Sequence, residues 1–255
     1  MITIKKPEEI EILREGGKRH GEMLRKIGER VFPGVSTQAL EDYARELIEN
    51  AGDKAAFLNY TPRGVRSSYP AALCVSINDV IVHGIPNVNS KILQEGDIVT
   101  LDLGLNHKGM ITDAAITLGV GEIDDPSTRL LEATQKALNR GIAAVHDGAH
   151  VGDIGAAIQE FAHKEKLSLS EDLAGHGVGY SVHEDPFVPN TGEKGTGAEL
   201  KEGMVIAIEP MLTLGSSKVI FDADEYTART KDGSRAAHFE HTILVTKDGA
   251  EVLTQ

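Results

Sequence analysis

EGDIVTLDLGLNHKGMITDAAITLGV (95–120) is the stretch whose reading decides the fold. Two runs rich in Val, Ile, Leu and Thr flank a turn cluster at Asn106-His107-Lys108-Gly109, the pattern of an antiparallel hairpin. Each run carries one acid, Asp102 and Asp113, among apolar neighbours that belong in a core. A hairpin centred on His107-Lys108 sets these aspartates directly opposite, with Cβ atoms ~4.5–5.5 Å apart, where like charges repel. Buried ionised carboxylates need a compensating charge, and a bound cation is the simplest one. For this hairpin alone, protonation of one aspartate or a lysine partner would serve as well.

Working outward, strand-like runs recur at LCVSI (73–77), DVIVHG (79–84), MVIAIEP (204–210) and AHFEHTILVT (237–246), the last running into a terminal hairpin at Lys247-Asp248-Gly249. Helical spacing predicts a first helix from Pro7 to about Arg30, with Gly17 and Gly21 on its apolar stripe pointing to a closely packed neighbour. A second helix, capped by Ser36 or Thr37, carries Leu40, Tyr43, Ala44, Leu47 and Ile48 and ends before Gly52. Two more helices span Pro126 to about Asp147 and Gly152 to Lys166, broken at Gly148. The order helix, helix, strands thus occurs twice, which points to an internal duplication. Overlaying the halves places Leu40 on Ile154, Ala44 on Ile158, Asp102 on Glu209 and Asp113 on Glu240. The expected architecture is α+β: one domain over 1–255 with pseudo-symmetric halves, about 1–124 and 125–255, whose antiparallel sheet is covered by helices.

Composition narrows the function. The 255 residues are 40% hydrophobic and 25% charged, as in an ordinary globular protein, and the net charge of −13 disfavours a phosphate backbone as partner. The single cysteine forms no internal disulfide, and the N-terminal stretch is charged from Lys5 onward with no signal-length apolar run. No segment approaches the ~18 consecutive apolar residues of a membrane span. A cytoplasmic protein is expected.

Glu209 and Glu240 bring two further acids to positions equivalent to Asp102 and Asp113, so four carboxylates converge. GHGVGYSVHEDP (175–186) adds His176 and His183 between small residues that permit close approach of backbone and ligand. Four carboxylates and an imidazole make a hard, oxygen-rich donor set suited to divalent Mn, Fe, Co or Zn. Four negative charges balance two such ions, which argues for a dinuclear centre that activates a water.

VHGIP (82–86), LDLG (101–104) with TDAA (112–115), GHGVG (175–179) with VHEDP (182–186), IEPM (208–211) and FEHT (239–242) resemble the signature blocks of methionine aminopeptidase type I. That family belongs to the pita-bread metallopeptidases, and the resemblance, closest to the bacterial form, runs from about Lys6 to Val252. It implies the pita-bread fold and removal of an N-terminal methionine from nascent proteins and peptides when the second residue is small. It also implies Asp102, Asp113, His176, Glu209 and Glu240 as ligands of two divalent ions. Glu209 doubles as proton shuttle in this reading, and His83 and His183 contact the peptide. Tyr60, Tyr69 and Cys74 match methionine-pocket positions, and Tyr226 stands where the family often has Trp; each fits ordinary core packing as well. The implied partners are nascent N-termini near the ribosome, met by a monomer with no membrane or direct nucleic-acid role.

Three departures bear on the pocket and not on the ligands. Val182 precedes His183 where Phe is common, His238 takes a position usually given to Gln, and Thr61 to Ser68 look like extra loop length. Two other readings share this scaffold. A proline-specific relative, an Xaa-Pro aminopeptidase or prolidase, usually carries a large additional N-terminal domain, whereas only about 70 residues precede the first strand block here. A metal-free binding protein would have lost ligands, and all five are present.

Overall fold

The computed structural model describes residues 2–62, 64–170 and 172–255; Arg63, within the Thr61 to Ser68 loop, lies outside them. The first half runs α1 (Pro7–Gly28), α2 (Thr37–Asn50), the short β1 (Lys54–Ala55), β2 (Leu73–Ile77), β3 (Val80–Val82), and the hairpin β4 (Ile98–His107) and β5 (Met110–Gly119). The second runs α3 (Asp125–Ala143), α4 (Val151–Lys164), β6 (Ser168–Leu169), β7 (Ala174–Gly177), β8 (Glu184–Pro189) and β9 (Val205–Ile208). It closes with β10 (Met211–Thr213), β11 (Val219–Phe221), β12 (Ala228–Thr230), β13 (Ala236–His238), β14 (His241–Thr246) and β15 (Gly249–Val252).

The helices start where local chemistry allows. Ser36 Oγ accepts from the Ala39 amide at 3.1 Å and Asp124 Oδ1 from the Ser127 amide at 2.9 Å, each satisfying a donor that the first helical turn leaves free. Burial of one face does the rest. Leu24, Ile27, Leu40 and Ala44 of α1 and α2 pack on Leu101 and Leu103 of β4, while Leu130, Ile154 and Ile158 of α3 and α4 pack on Ile206, Ile208 and Ile243. Each half therefore has its own helix-on-sheet core. A third cluster, with Phe57, Tyr69, Cys74, Val182 and Tyr226, lies where the site is built.

Gly17 and Gly21 meet the neighbour their positions demand. A Cβ on Gly17 would stand 2.3 Å from the Leu253 carbonyl oxygen, and one on Gly21 3.1 Å from the Gln255 backbone. The chain's last residues thus lie against its first helix.

The central hairpin differs from the sequence reading in register. Lys108 and Gly109, with φ of 50° and 93°, form a two-residue turn that pairs His107 with Met110. Asp102 therefore faces Ala115, and Asp113 faces Gly104. The aspartates are diagonal neighbours and not opposite ones, but a shift of two residues keeps both on one face. The expected single strand 237–246 is also two strands, interrupted at Phe239-Glu240, and 204–210 stops at Ile208 before Pro210, which has no amide proton to extend a ladder. Glu209 and Glu240 accordingly occupy strand breaks, unlike Asp102 and Asp113, which sit inside strands.

Candidate metal and substrate site

Ala115 is the seam of the molecule. It pairs with Asp102 on one side and forms an isolated antiparallel bridge with Glu240 on the other. The Glu240 amide donates to the Ala115 carbonyl at 2.9 Å. Two threonines flank that bridge. Thr242 Oγ1 receives the Asp113 amide at 2.8 Å and donates to the Asp113 carbonyl at 2.7 Å, and Thr117 Oγ1 treats His238 in the same way at 2.9 and 2.7 Å. These hydroxyls replace ladder hydrogen bonds, so the acids of the two halves converge without a continuous sheet between them.

His176 is delivered by β7, which lies between β8 and β9. The bracketing glycines are required there: a Cβ on Gly175 would fall 2.3 Å from the Ala207 oxygen, and one on Gly177 2.1 Å from the Asp185 oxygen. His176 Nδ1 donates to the Gly177 carbonyl at 2.9 Å, which leaves the Nε2 lone pair facing Glu209 Oε1 at 3.5 Å and Asp113 Oδ2 at 3.9 Å. Donor atoms of Asp113, His176 and Glu240 lie within 4.8 Å of one another, as do those of Glu209, His238 and Glu240.

The electrostatics fit cations. Burial pushes the Asp102 carboxyl up to about 7, and burial together with mutual repulsion among the acids raises Asp113, Glu209 and Glu240 well above the carboxylate range. Burial also lowers His176 to about 4, so its imidazole is neutral and free to ligate. Asp102 Oδ1, Asp113 Oδ1 and Glu240 Oε1 are buried with no hydrogen-bond partner. Orphaned oxygens of this kind are costly unless something positive sits among them, and divalent ions suit this donor set.

All the residues singled out in the sequence as ligands, peptide contacts or pocket walls line one cavity of about 250 Å³. His83 enters it just after β3 with φ of 60°, and burial lowers its pKa. Nδ1 of His183 lies 2.7 Å from the Tyr60 hydroxyl, and its ring stands edge-on to His176 with centroids 4.4 Å apart. Burial raises Tyr60 and lowers His183 to about 3, so a protonated phenol meets a neutral imidazole at Nδ1 and Nε2 is the ring nitrogen left free of Tyr60. The Tyr226 hydroxyl donates to the Ser67 carbonyl at 2.6 Å and lies 3.2 Å from the Tyr60 carbonyl, tying these two residues to the cavity wall. Tyr69 packs edge-on against Tyr226 and donates to the Gly84 carbonyl at 3.0 Å. Cys74 pairs with Asp102 across β2 and β4, and burial holds its thiol protonated.

Sequence reading placed the Thr61 to Ser68 loop, which holds Val65, beside the pocket but did not single out Phe57, Phe221 or Glu225, which also line the cavity. They sit on loops and a short strand, where neither periodicity nor ligand chemistry marks them. Among the described residues no helix is long and apolar enough to cross a membrane.

Residues 11–247 match metallopeptidase family M24. The methionine aminopeptidase of Aquifex aeolicus (strain VF5) is 45% identical over 258 residues, covering 100% of this chain and 99% of that protein. The crystal structure of methionine aminopeptidase from Thermotoga maritima superposes with a TM-score of 0.95 at 41% identity, covering 100% of both chains. The prolidase of Pyrococcus horikoshii OT3 gives a TM-score of 0.75 at 21% identity, with 99% of this chain covering 63% of that one, a likeness of fold alone.

Proposed function

Because the chain belongs to metallopeptidase family M24 and has its pita-bread fold, we propose that it removes the N-terminal methionine from nascent proteins and peptides whose second residue is small. The observation that carries this reading is that the acid and histidine cluster and the apolar side chains of Phe57, Val65 and Tyr226 line one and the same cavity. Full-length likeness to methionine aminopeptidases at 41–45% identity supports it further.

Asp102, Asp113, His176, Glu209 and Glu240 would hold two divalent ions, Co, Mn, Fe or Zn. Bound there, such ions lower the pKa of water towards ~7 and polarise a carbonyl. The residues supply the rest. Glu209, at the cavity wall, takes the proton from the attacking water and returns it to the leaving amine. His183, with Nδ1 occupied by Tyr60, offers its Nε2 proton to the oxygen of the scissile carbonyl. His83 holds the peptide beyond the cut. Tyr60, Tyr69, Cys74 and Tyr226 enclose the methionine side chain, whose flexible thioether fills an apolar space without polar partners. The chain acts as one catalytic unit of two halves, about 1–124 and 125–255, as a cytoplasmic monomer near the ribosome. Its net charge of −13 favours contact with the emerging peptide over contact with RNA.

Purified protein should cleave Met-Gly, Met-Ala and Met-Ser peptides after addition of Mn or Co and not in excess chelator. Met-Leu, Met-Lys and Met-Phe should be cleaved at least ~10²-fold less efficiently, because a bulky second side chain displaces the carbonyl and about 1 Å of misplacement costs that much. Equal kcat/KM for Met-Gly and Met-Leu would overturn the second-residue rule. Turnover of Xaa-Pro peptides instead would assign the proline-specific activity.

A further inference from the structure

His238 is not among the residues lining the cavity; it ends β13 just before the strand break that holds the buried Glu240. Its backbone is fixed by the Thr117 hydroxyl at 2.9 and 2.7 Å and by pairing with Met211, so the ring has a set direction. The residue is 1% exposed, and neither ring nitrogen has a hydrogen-bond partner. A wholly buried imidazole left unpaired on both sides is expensive unless another group engages it.

What it faces is specific. Nε2 is 3.5 Å from Glu209 Oε2 and 3.7 Å from Glu240 Oε2. Both separations exceed the 2.7–3.2 Å range typical of N–H···O hydrogen bonds. They approach the ~3.0–3.4 Å between neighbouring donors that each reach one ion through bonds of ~2.0–2.1 Å. The same spacing recurs on the opposite side of Glu209, where Oε1 lies 3.5 Å from His176 Nε2. Each oxygen of one carboxylate thus faces its own imidazole.

We infer that His238 is a further metal ligand, contributing Nε2 to an ion shared with Glu209 Oε2 and Glu240 Oε2. The centre then holds two imidazoles where the sequence reading gave it one. This inference rests on the reading of the acid cluster as a metal centre. Because imidazole favours Zn, Co and Fe over Mn, the extra nitrogen also biases the centre away from Mn.

X-ray absorption spectroscopy on protein loaded with two Co²⁺ per chain tests the assignment without turnover. Multiple scattering from imidazole should average one ring per cobalt in the unaltered protein and half a ring in His238→Gln. Titration should show that His238→Gln weakens Co²⁺ and Zn²⁺ binding by roughly 10–100-fold and Mn²⁺ binding by less. Half a ring per cobalt in the unaltered protein overturns the proposal whether or not the variant folds. An unchanged ring count in a folded variant overturns it too. Failure of the unaltered protein to bind Co²⁺ at all would overturn the metal centre itself, so the two failures are distinct.

Discussion

At His183 one hydrogen bond sets which ring nitrogen can meet a substrate. With the Tyr60 hydroxyl at 2.7 Å from Nδ1, Nε2 is the nitrogen left to face a substrate oxygen. His183→Ala should lower kcat/KM by roughly 10²–10³, the usual loss for one transition-state donor, while metal content by elemental analysis stays unchanged. Loss of metal in that variant would make His183 a ligand instead. Tyr60→Phe should cost less, about tenfold or under, since it removes one neutral hydrogen bond worth about 1 kcal/mol. The acids stood out in the sequence because charge inside apolar runs is physically anomalous and needs a reason, and His176 because glycines bracket it. Phe57 and Phe221 did not, because an apolar side chain on a loop or short strand carries no such anomaly. His238 was visible only as a departure from a resemblance, and its meaning depended on the distances to Glu209 and Glu240.

Between elements, the two Thr hydroxyls at the seam carry hydrogen bonds that strands would otherwise share. Thr242→Val keeps the side chain's shape but strands the amide and carbonyl of buried Asp113. Stability should fall by about 2–3 kcal/mol, read from the urea midpoint at constant slope; an unchanged midpoint would remove Thr242 from that role. The loop bearing His183 has its own fastening. Glu184 accepts from Lys5 Nζ and Thr3 Oγ1, both at 2.8 Å, and from the Ser181 amide at 3.0 Å. Burial raises the Glu184 carboxyl, but these donors outweigh burial and the net shift is downward. A carboxyl lowered in the folded state contributes stability above its unfolded value of ~4.3 and loses it as pH falls through the folded value. Glu184→Gln should therefore lose stability near pH 7 and show a flatter acid limb than the unaltered protein in urea melts across pH; parallel curves would show that the titrating group lies elsewhere. The helices were readable to within a few residues, because 3.6-residue spacing persists over many turns. Two- and three-residue strands such as β1, β6 and β11 have no period to read, and the hairpin register turned on whether His107-Lys108 or Lys108-Gly109 held the turn.

For the molecule as a whole, four buried acids around one cavity oppose folding until ions neutralise them. A ligand at 100 times its Kd that binds only the folded state contributes ~2.7 kcal/mol, so stripping metal with chelator should lower Tm by about 5–10 °C at this size. Scanning calorimetry with and without Mn or Co measures it, and identical transitions would show that the cluster does not depend on cations. The recurring order of two helices followed by strands was legible because helical and strand periods alternate along the chain, whereas the Ala115 to Glu240 seam was not, since a lone bridge leaves no pattern in sequence. That seam also sets a timetable. The outer edge of β5 is held by the Gly179 carbonyl at Ile111 and otherwise finds its partners at residues 238–242, and the glycine face of α1 finds Leu253 and Gln255. A chain emerging from the ribosome in order therefore carries an open stretch of strand edge and an uncovered helix until residues 238–255 have been made. The enzyme that would trim other nascent chains must spend much of its own birth unfinished, because its acid cluster cannot assemble before Glu240 has left the ribosome.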